Sequence, residues 1–215
     1  LSIEGYKVTI ELIERVRTGK WNPDKDENDK NQHGALAAKG YSLAFNSVKA
    51  SIRKILKGED ASQVVEADHH EWFTQMFSPS VQVGILRPSD LAGYRTAQVY
   101  IRGSYHVPPP KEAITDCMDA LLNMIKKESH AGVRAVLGHL IFVFIHPYMD
   151  GNGRIGRFLM NALLASGGYP WAVIRLERRR EYMTALEDAS VKGRISRFAR
   201  FIKDELKYSS LLKGR

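Results

Sequence analysis

A mainly helical, all-α chain with one short β-hairpin is the architecture this sequence predicts. Apolar residues recur at three- and four-residue spacing through most of its length. One alternating stretch, Gln98 to Val107, breaks that rhythm, and glycines and prolines punctuate the periodic segments. At 215 residues and 24.3 kDa the chain is long enough to bury a sizeable core in a single domain. The expected organisation is one domain over 1–215, with N-terminal helices over about 1–60 and a core with C-terminal helices over about 61–215.

The elements follow in order. After Gly5, the residues Val8, Leu12, Ile13 and Val16 mark one helix face running toward Gly19, and the polar run Asn22 to Asn31 reads as an exposed loop. A long helix from about Ala35 to Leu56 stops at Gly58. Glu66 to Phe77 predicts another, which Ser78-Pro79 is expected to break. Leu86 to Tyr94 leads into the hairpin, where β-favouring residues alternate around Gly103-Ser104 and Pro108-Pro109-Pro110 closes the ribbon. Helices are then expected over Lys111–Glu128, Ala131–Ile145 and Gly153–Ala165, with Gly167-Gly168-Tyr169-Pro170 as the stop. Two more follow, roughly Glu177–Ser190 and Ile195–Leu206. There is no internal repeat or low-complexity tract.

The chemistry concentrates in His146 to Arg157, HPYMDGNGRIGR, directly after the apolar run Leu140 to Ile145. Gly151 and Gly153 remove side chains, so the backbone can turn sharply and bring successive N–H groups against phosphate oxygens, with Asn152 adding a side-chain donor. Ile155, Phe158, Leu159, Ala162 and Leu163 recur at helical spacing, which makes the loop the entrance to a helix whose N-terminus favours an anion. Arg154 and Arg157, three apart, share one face of the first turns, where two guanidinium forks can hold different phosphates. Asp150 supplies the hard oxygen that Mg²⁺ prefers when it bridges phosphates. His146 has the pKa suited to accepting a proton near neutrality. Each residue alone has an ordinary structural reading; their joint occurrence at fixed spacing points to a polyphosphate site.

The stretch resembles the signature of the Fic family, HPFxDGNGRxxR, and matches each fixed position except that Tyr148 stands where Phe is usual. The resemblance implies a helical fold and transfer of AMP from ATP to a protein hydroxyl. It makes His146 the general base, Asp150 the Mg²⁺ ligand, Gly151, Asn152 and Gly153 the phosphate cradle, and Arg154 and Arg157 the ligands of the β and γ phosphates. The Doc branch, which transfers a phosphate instead, has Ala-Asn-Lys in the middle of the loop, and Gly151-Asn152-Gly153 argues against that chemistry. ATP and Mg²⁺ are thus the implied small molecules, and a protein bearing a Tyr, Ser or Thr hydroxyl, this chain itself included, the implied partner.

Two further segments fit the same resemblance. Many Fic proteins carry an inhibitory helix of pattern [S/T]xxxE[G/N], and Glu4-Gly5 matches its end, the Ser or Thr falling one position before Leu1. On that likeness Glu4 pairs with Arg157 and holds the enzyme inactive. The hairpin resembles the family's flap, whose edge docks the segment carrying the target hydroxyl, with Ile101, Arg102, Gly103 and His106 as the contacts. A purely structural ribbon is the competing reading.

Composition bounds the rest. No apolar span reaches the roughly 18 residues that a membrane helix needs. The single Cys117 rules out an internal disulfide framework and fits a reducing compartment, so a cytoplasmic setting is expected; the source expected for the chain is bacterial. Cys117 sits on the stripe of Ile114, Met118, Leu121 and Leu122, as a packed thiol does. A net charge of +8 and Arg175, Arg178, Arg179 and Arg180 raise nucleic-acid binding, but no nucleic-acid motif accompanies them and the run reads as a solvated helix face. His69 and His70 lack further ligands at metal spacing, and His139 reads as a packing or hydrogen-bonding residue. The competing functions are transfer of another nucleotide or phosphate-containing group, removal of AMP from a modified protein, and a non-catalytic nucleotide-binding interaction module. A homo-oligomer is compatible with all of them.

Overall fold

The computed structural model describes residues 1–6, 9–18 and 33–213, and every described element is helical. The eight α-helices among these residues are α1 (Ile10–Arg17), α2 (His33–Leu56), α3 (Ala61–Gln82), α4 (Ile114–Lys127), α5 (Ala131–Ile145), α6 (Asn152–Ala165), α7 (Arg179–Lys192) and α8 (Ile195–Lys213). The polar loop expected over Asn22–Asn31 lies outside the described residues, as do Val8 and Gly19. Two compact units divide the chain: Leu1–Ala50 with Asp68–Gly93, and Ser51–Ala67 with Tyr94–Arg215.

In the first unit, Thr9 caps α1 by accepting the Leu12 N–H at 3.1 Å. Val16 of α1 is buried with Ala35, Leu36 and Val83, and Leu12 packs against this cluster. The α2 and α3 backbones meet at Gly40, where a Cβ would stand 1.9 Å from the Met76 carbonyl oxygen, so only glycine fits.

The helix α3 starts earlier and ends later than the sequence predicts. Asp60 Oδ1 accepts the N–H groups of Ser62 and Gln63 at 2.9 and 3.0 Å, which sets the start at Ala61. Pro79 does not break the helix as expected. It removes the donor that would reach the Gln75 carbonyl, but the Ser78 hydroxyl donates to that oxygen at 3.1 Å, and Val83 N resumes the ladder to Pro79 O at 3.2 Å.

In the second unit α5 is the central element, packed by α4, α6, α7 and α8. Its residues are apolar nearly all round, as a fully surrounded helix requires. Glycines let α5 and α6 lie close: a Cβ at Gly138 would sit 2.9 Å from Leu163, and one at Gly156 would sit 2.8 Å from the His139 ring. That ring is buried and shares a 2.8 Å hydrogen bond with the Tyr182 hydroxyl, stacked at 5.4 Å on Phe198.

The predicted β-hairpin does not form; no strand exists among the described residues. Residues 98–107 are coil with one turn, where Gly103 takes φ 76° and Ser104 N donates to Ile101 O at 3.1 Å. The groups a ladder would use are bonded elsewhere. Arg95 donates to the carbonyls of Ala97 and Pro109, Gln98 Nε2 donates to Pro108 O at 3.0 Å, and Tyr105 N donates to Glu187 at 2.9 Å. The three prolines have no N–H to offer.

Candidate active site

The site begins where α5 ends. A residue before proline is disfavoured in the right-handed helical region, so the helix stops at Ile145, ahead of His146-Pro147. His146 adopts φ 54°, ψ 57°, and is the single non-glycine residue of positive φ among the described residues. That conformation costs roughly 1–2 kcal/mol for a residue with a Cβ. Several bonds offset it. His146 N donates to Phe142 O at 3.0 Å, its Nδ1 donates to Val143 O at 2.9 Å, and its own carbonyl accepts from Arg95 Nε at 2.8 Å.

The Nδ1 contact decides the chemistry of the ring. A carbonyl can only accept, so Nδ1 carries the proton, and the lone pair of the neutral imidazole is on Nε2. Burial, the largest influence, lowers the His146 pKa, aided by the positive charge of Arg95 and the nearby His106; the Val143 bond and Asp150 act the other way. A neutral ring with an accepting Nε2 is the form a general base needs.

The loop after it is held rigidly. Tyr148 is buried between Phe142 and Tyr94, at ring separations of 6.2 and 5.7 Å. Gly151 takes φ 81° and caps α6, its carbonyl accepting from Arg154 N at 3.0 Å and Ile155 N at 2.9 Å. The amides of Asn152 and Gly153 stand ahead of this first helical bond, at the positive end of the α6 dipole. Two of the signature side chains are bonded within the loop. The Asn152 carboxamide is buried and binds Tyr148 N and O, at 2.9 and 2.8 Å, so it closes the loop. The Arg154 side chain is 1% exposed and donates to Asp150 Oδ2 at 3.2 Å, forming an inner wall with its positive charge behind the loop.

Asp150 is 63% exposed, with Oδ1 accepting from Gly151 N at 2.6 Å. No group of three or more His, Cys, Asp or Glu side chains among the described residues could hold a metal ion. A cation at Asp150 would have one protein carboxylate, which suits an ion whose other ligands are phosphate and water. Arg157 is partly buried on α6, its positive charge felt by His139.

The coil 98–107 lies against the last turn of α5. His106 Nε2 donates to Phe144 O at 2.8 Å, and its ring stacks on Phe144 at 4.0 Å. His106 is therefore buried, which removes it from the surface that a peptide could touch. Arg102 and Gly103 are exposed and Ile101 partly so, while Tyr100 and Tyr105 project into solvent, the latter 90% exposed. Glu4 closes a short turn, Ser2–Glu4, in the other unit, capped by Gly5 at φ 86°, with its carboxylate 3.5 Å from the Leu1 amine.

Sequence reading missed Arg95 and Glu187. Glu187 of α7 accepts from Ser104 Oγ at 2.5 Å and from Tyr105 N. Neither residue carries a local signal, because each acts on a segment distant in the chain. The arginine run is also clearer in space: Arg175 and Arg178 bind the buried Glu205 and lie over the rings of Tyr208 and Phe201. These two are tied into the fold of the second unit.

Residues 62–164 match the Fic/DOC family. The chain is 39% identical over 124 residues to a protein adenylyltransferase Fic of Nematostella vectensis, covering 56% of this chain and 28% of that protein. It is 37% identical over 208 residues to the Drosophila grimshawi protein of the same name, covering 95% of this chain and 39% of that protein. The chain therefore spans well under half the length of these relatives. Among solved structures, Fic-1 (residues 134–508) from C. elegans superposes with TM-score 0.75 at 22% identity, over 99% of this chain and 60% of that one. A Fic family protein from Desulfovibrio desulfuricans superposes with TM-score 0.70 at 21% identity, over 97% and 60%. With a strained histidine, a glycine-capped helix N-terminus and two arginines in the matched signature, residues 62–164 of this chain belong to the Fic/DOC family.

Proposed function

We propose that the chain is the catalytic part of a protein adenylyltransferase, moving AMP from ATP to a Tyr, Ser or Thr hydroxyl of a target protein. The observation that carries this reading is the His146 ring, protonated on Nδ1 toward Val143 O and so left with an accepting Nε2, in the loop that leads into α6. The name shared by the relatives, protein adenylyltransferase Fic, supports it.

In this reading the acceptor oxygen attacks the α-phosphorus while its proton passes to His146 Nε2. The bond from the α-phosphorus to the bridging oxygen breaks, and pyrophosphate leaves. The Asn152 and Gly153 amides at the head of α6 stabilise charge on the transferred group, and Arg154 and Arg157 neutralise the departing phosphates. Asp150 is the residue that would hold Mg²⁺, which when bound neutralises phosphate charge. Asn152 acts indirectly, by holding the loop in shape. Glu4 is the inhibitory residue of this reading, and the exposed part of 98–107 docks the target through Ile101, Arg102 and Gly103. Residues 1–215 act in this proposal as one functional domain, and the single Cys117 supports a reducing, cytoplasmic setting.

The test is incubation of the parent protein, of Glu4→Gly and of Glu4→Gly combined with His146→Ala with α-labelled ATP and Mg²⁺, followed by intact-mass analysis and a lysate scan. Strong labelling by Glu4→Gly that disappears in a Glu4→Gly protein also carrying His146→Ala is the expected result. No label in any variant, with ATP bound, would move the function to another donor or to AMP removal.

A further inference from the structure

We propose that Arg95 is a positioning residue for the transfer reaction, its guanidinium gripping the His146 carbonyl to hold the left-handed backbone that aims the imidazole. The inference rests on the reading of His146 as the proton acceptor.

Arg95 is 4% exposed, and among the described residues no carboxylate pairs with it. Its guanidinium instead donates to three carbonyls: Nε to His146 at 2.8 Å, Nη1 to Ala97 at 2.8 Å and Nη2 to Pro109 at 2.5 Å. Its own N–H donates to Pro147 O at 2.8 Å. Burying a cation with no counter-ion is strongly unfavourable, and an apolar side chain of similar length would fill the same space without that penalty. The explanation for the charge therefore lies with its partners. Of the three carbonyls that the guanidinium binds, one belongs to the base and the other two flank the coil 98–107.

His146 is where the backbone needs such help. Left-handed geometry opposes its Cβ, and the other two bonds that hold the residue, to Phe142 O and Val143 O, both come from its own helix. Arg95 is the anchor from outside α5. Without it the His146 peptide can relax toward extended geometry, which swings the Cα–Cβ bond and withdraws Nδ1 from Val143 O. The ring then loses the contact that selects the Nδ1–H tautomer. The same fork grips Ala97 and Pro109, the two ends of the coil over the site, so base and coil share one anchor. The charged or titratable groups facing the imidazole are Arg95, His106 and Asp150.

The experiment uses Arg95→Lys and Arg95→Met in the Glu4→Gly protein. Turnover, ATP affinity by calorimetry and the nitrogen-15 NMR signals of the His146 ring are measured on each. Loss of the fork should lower kcat about 100-fold in Arg95→Met with ATP affinity held at the parent value, since a slightly misplaced base spoils the reaction geometry. Arg95→Lys should recover part of that loss, because an ammonium can hold one of the carbonyls but not the set. The ring should be a single Nδ1–H tautomer in the parent and a mixture in the variants. Parent kcat in both variants, or a kcat loss matched by an equal loss of ATP affinity, overturns the proposal. Should Arg95→Met fail to fold, Arg95→Lys decides by the same readouts. If the Glu4→Gly protein transfers no AMP, the functional reading fails and the ring signals alone judge Arg95: a spectrum unchanged in Arg95→Lys overturns the proposal.

Discussion

Asn152 reaches back across the loop to hold Tyr148 by both backbone groups, accepting its N–H at 2.9 Å and donating to its carbonyl at 2.8 Å. Both residues are buried, so this clasp fixes the curvature of the loop from inside. Asn152→Ala leaves a backbone donor and an acceptor buried without partners, each costing about 1–3 kcal/mol. The expected result is a loss of about 2–6 kcal/mol in urea unfolding, together with weakened ATP binding. A variant as stable as the parent that has lost only nucleotide affinity would instead place the Asn152 side chain on the phosphates.

His139 makes the fold sensitive to acid. Burial, with Arg157 second, pushes its folded pKa down to about 3, whereas the unfolded ring takes up a proton near 6.5. The unfolded chain therefore binds more protons between those values, and stability falls as pH drops through that window. The slope is about 1.4 kcal/mol per pH unit from this one group. His139→Gln keeps a side-chain partner for the Tyr182 hydroxyl and removes the titration. It should be less stable at pH 7 because the ring packing is lost, yet lose about 2 kcal/mol less than the parent on going from pH 6.5 to 5. Urea midpoints for both proteins at the two pH values measure this, and equal acid losses would show that the His139 ring is not held neutral.

The residues that the signature placed are those whose chemistry is local. His146, Gly151 and Asp150 sit within six positions, and proline grammar, glycine geometry and helix entry act over that range. For Asn152 and Arg154 composition marks donors near an anion, while which way each side chain turns depends on Tyr148 and on the loop around Asp150. The hairpin failed for a related reason. Alternation describes what residues 98–107 could do as a ribbon, and the competing bonds come from Arg95 before it and Glu187 more than eighty residues later. Pro79 was read as a break because its missing N–H is visible in sequence, while the compensating Ser78 hydroxyl needs the helix to exist first.

Gly40 tests the crossing of α2 and α3 in the first unit. Any Cβ there would stand 1.9 Å from the Met76 carbonyl oxygen, and backbone cannot move aside as a side chain can. Gly40→Ala is expected to destabilise by about 3 kcal/mol or more, at the severe end of overpacking. For a chain of this size that lowers Tm by about 6–12 °C. A thermal scan of Gly40→Ala at the parent Tm would mean that the two helices do not approach this closely.

Glu187 shows how the coil over the site keeps its shape without a ladder. One carboxylate oxygen accepts from Ser104 Oγ and the other from Tyr105 N, while Ser104 Oγ also accepts from His106 N at 3.0 Å. His106 in turn donates to Phe144 O, so a chain of bonds runs from α7 through the turn to the end of α5. Charge-assisted bonds of this kind contribute about 1.5–3 kcal/mol, enough to set the order of a ten-residue coil. Glu187→Ala should free the turn that displays Tyr105 without touching the phosphate loop. In the Glu4→Gly protein, KM for a protein target is then expected to rise about tenfold, the equivalent of 1.4 kcal/mol of lost preorganisation, with ATP affinity unchanged. Glu187→Gln, which keeps an oxygen acceptor for one of the two donors, should fall between. Steady-state kinetics with varied target concentration separates the cases. Equal KM in all three proteins would show that the target does not use this turn, and a fall in ATP affinity would tie Glu187 to the nucleotide site instead.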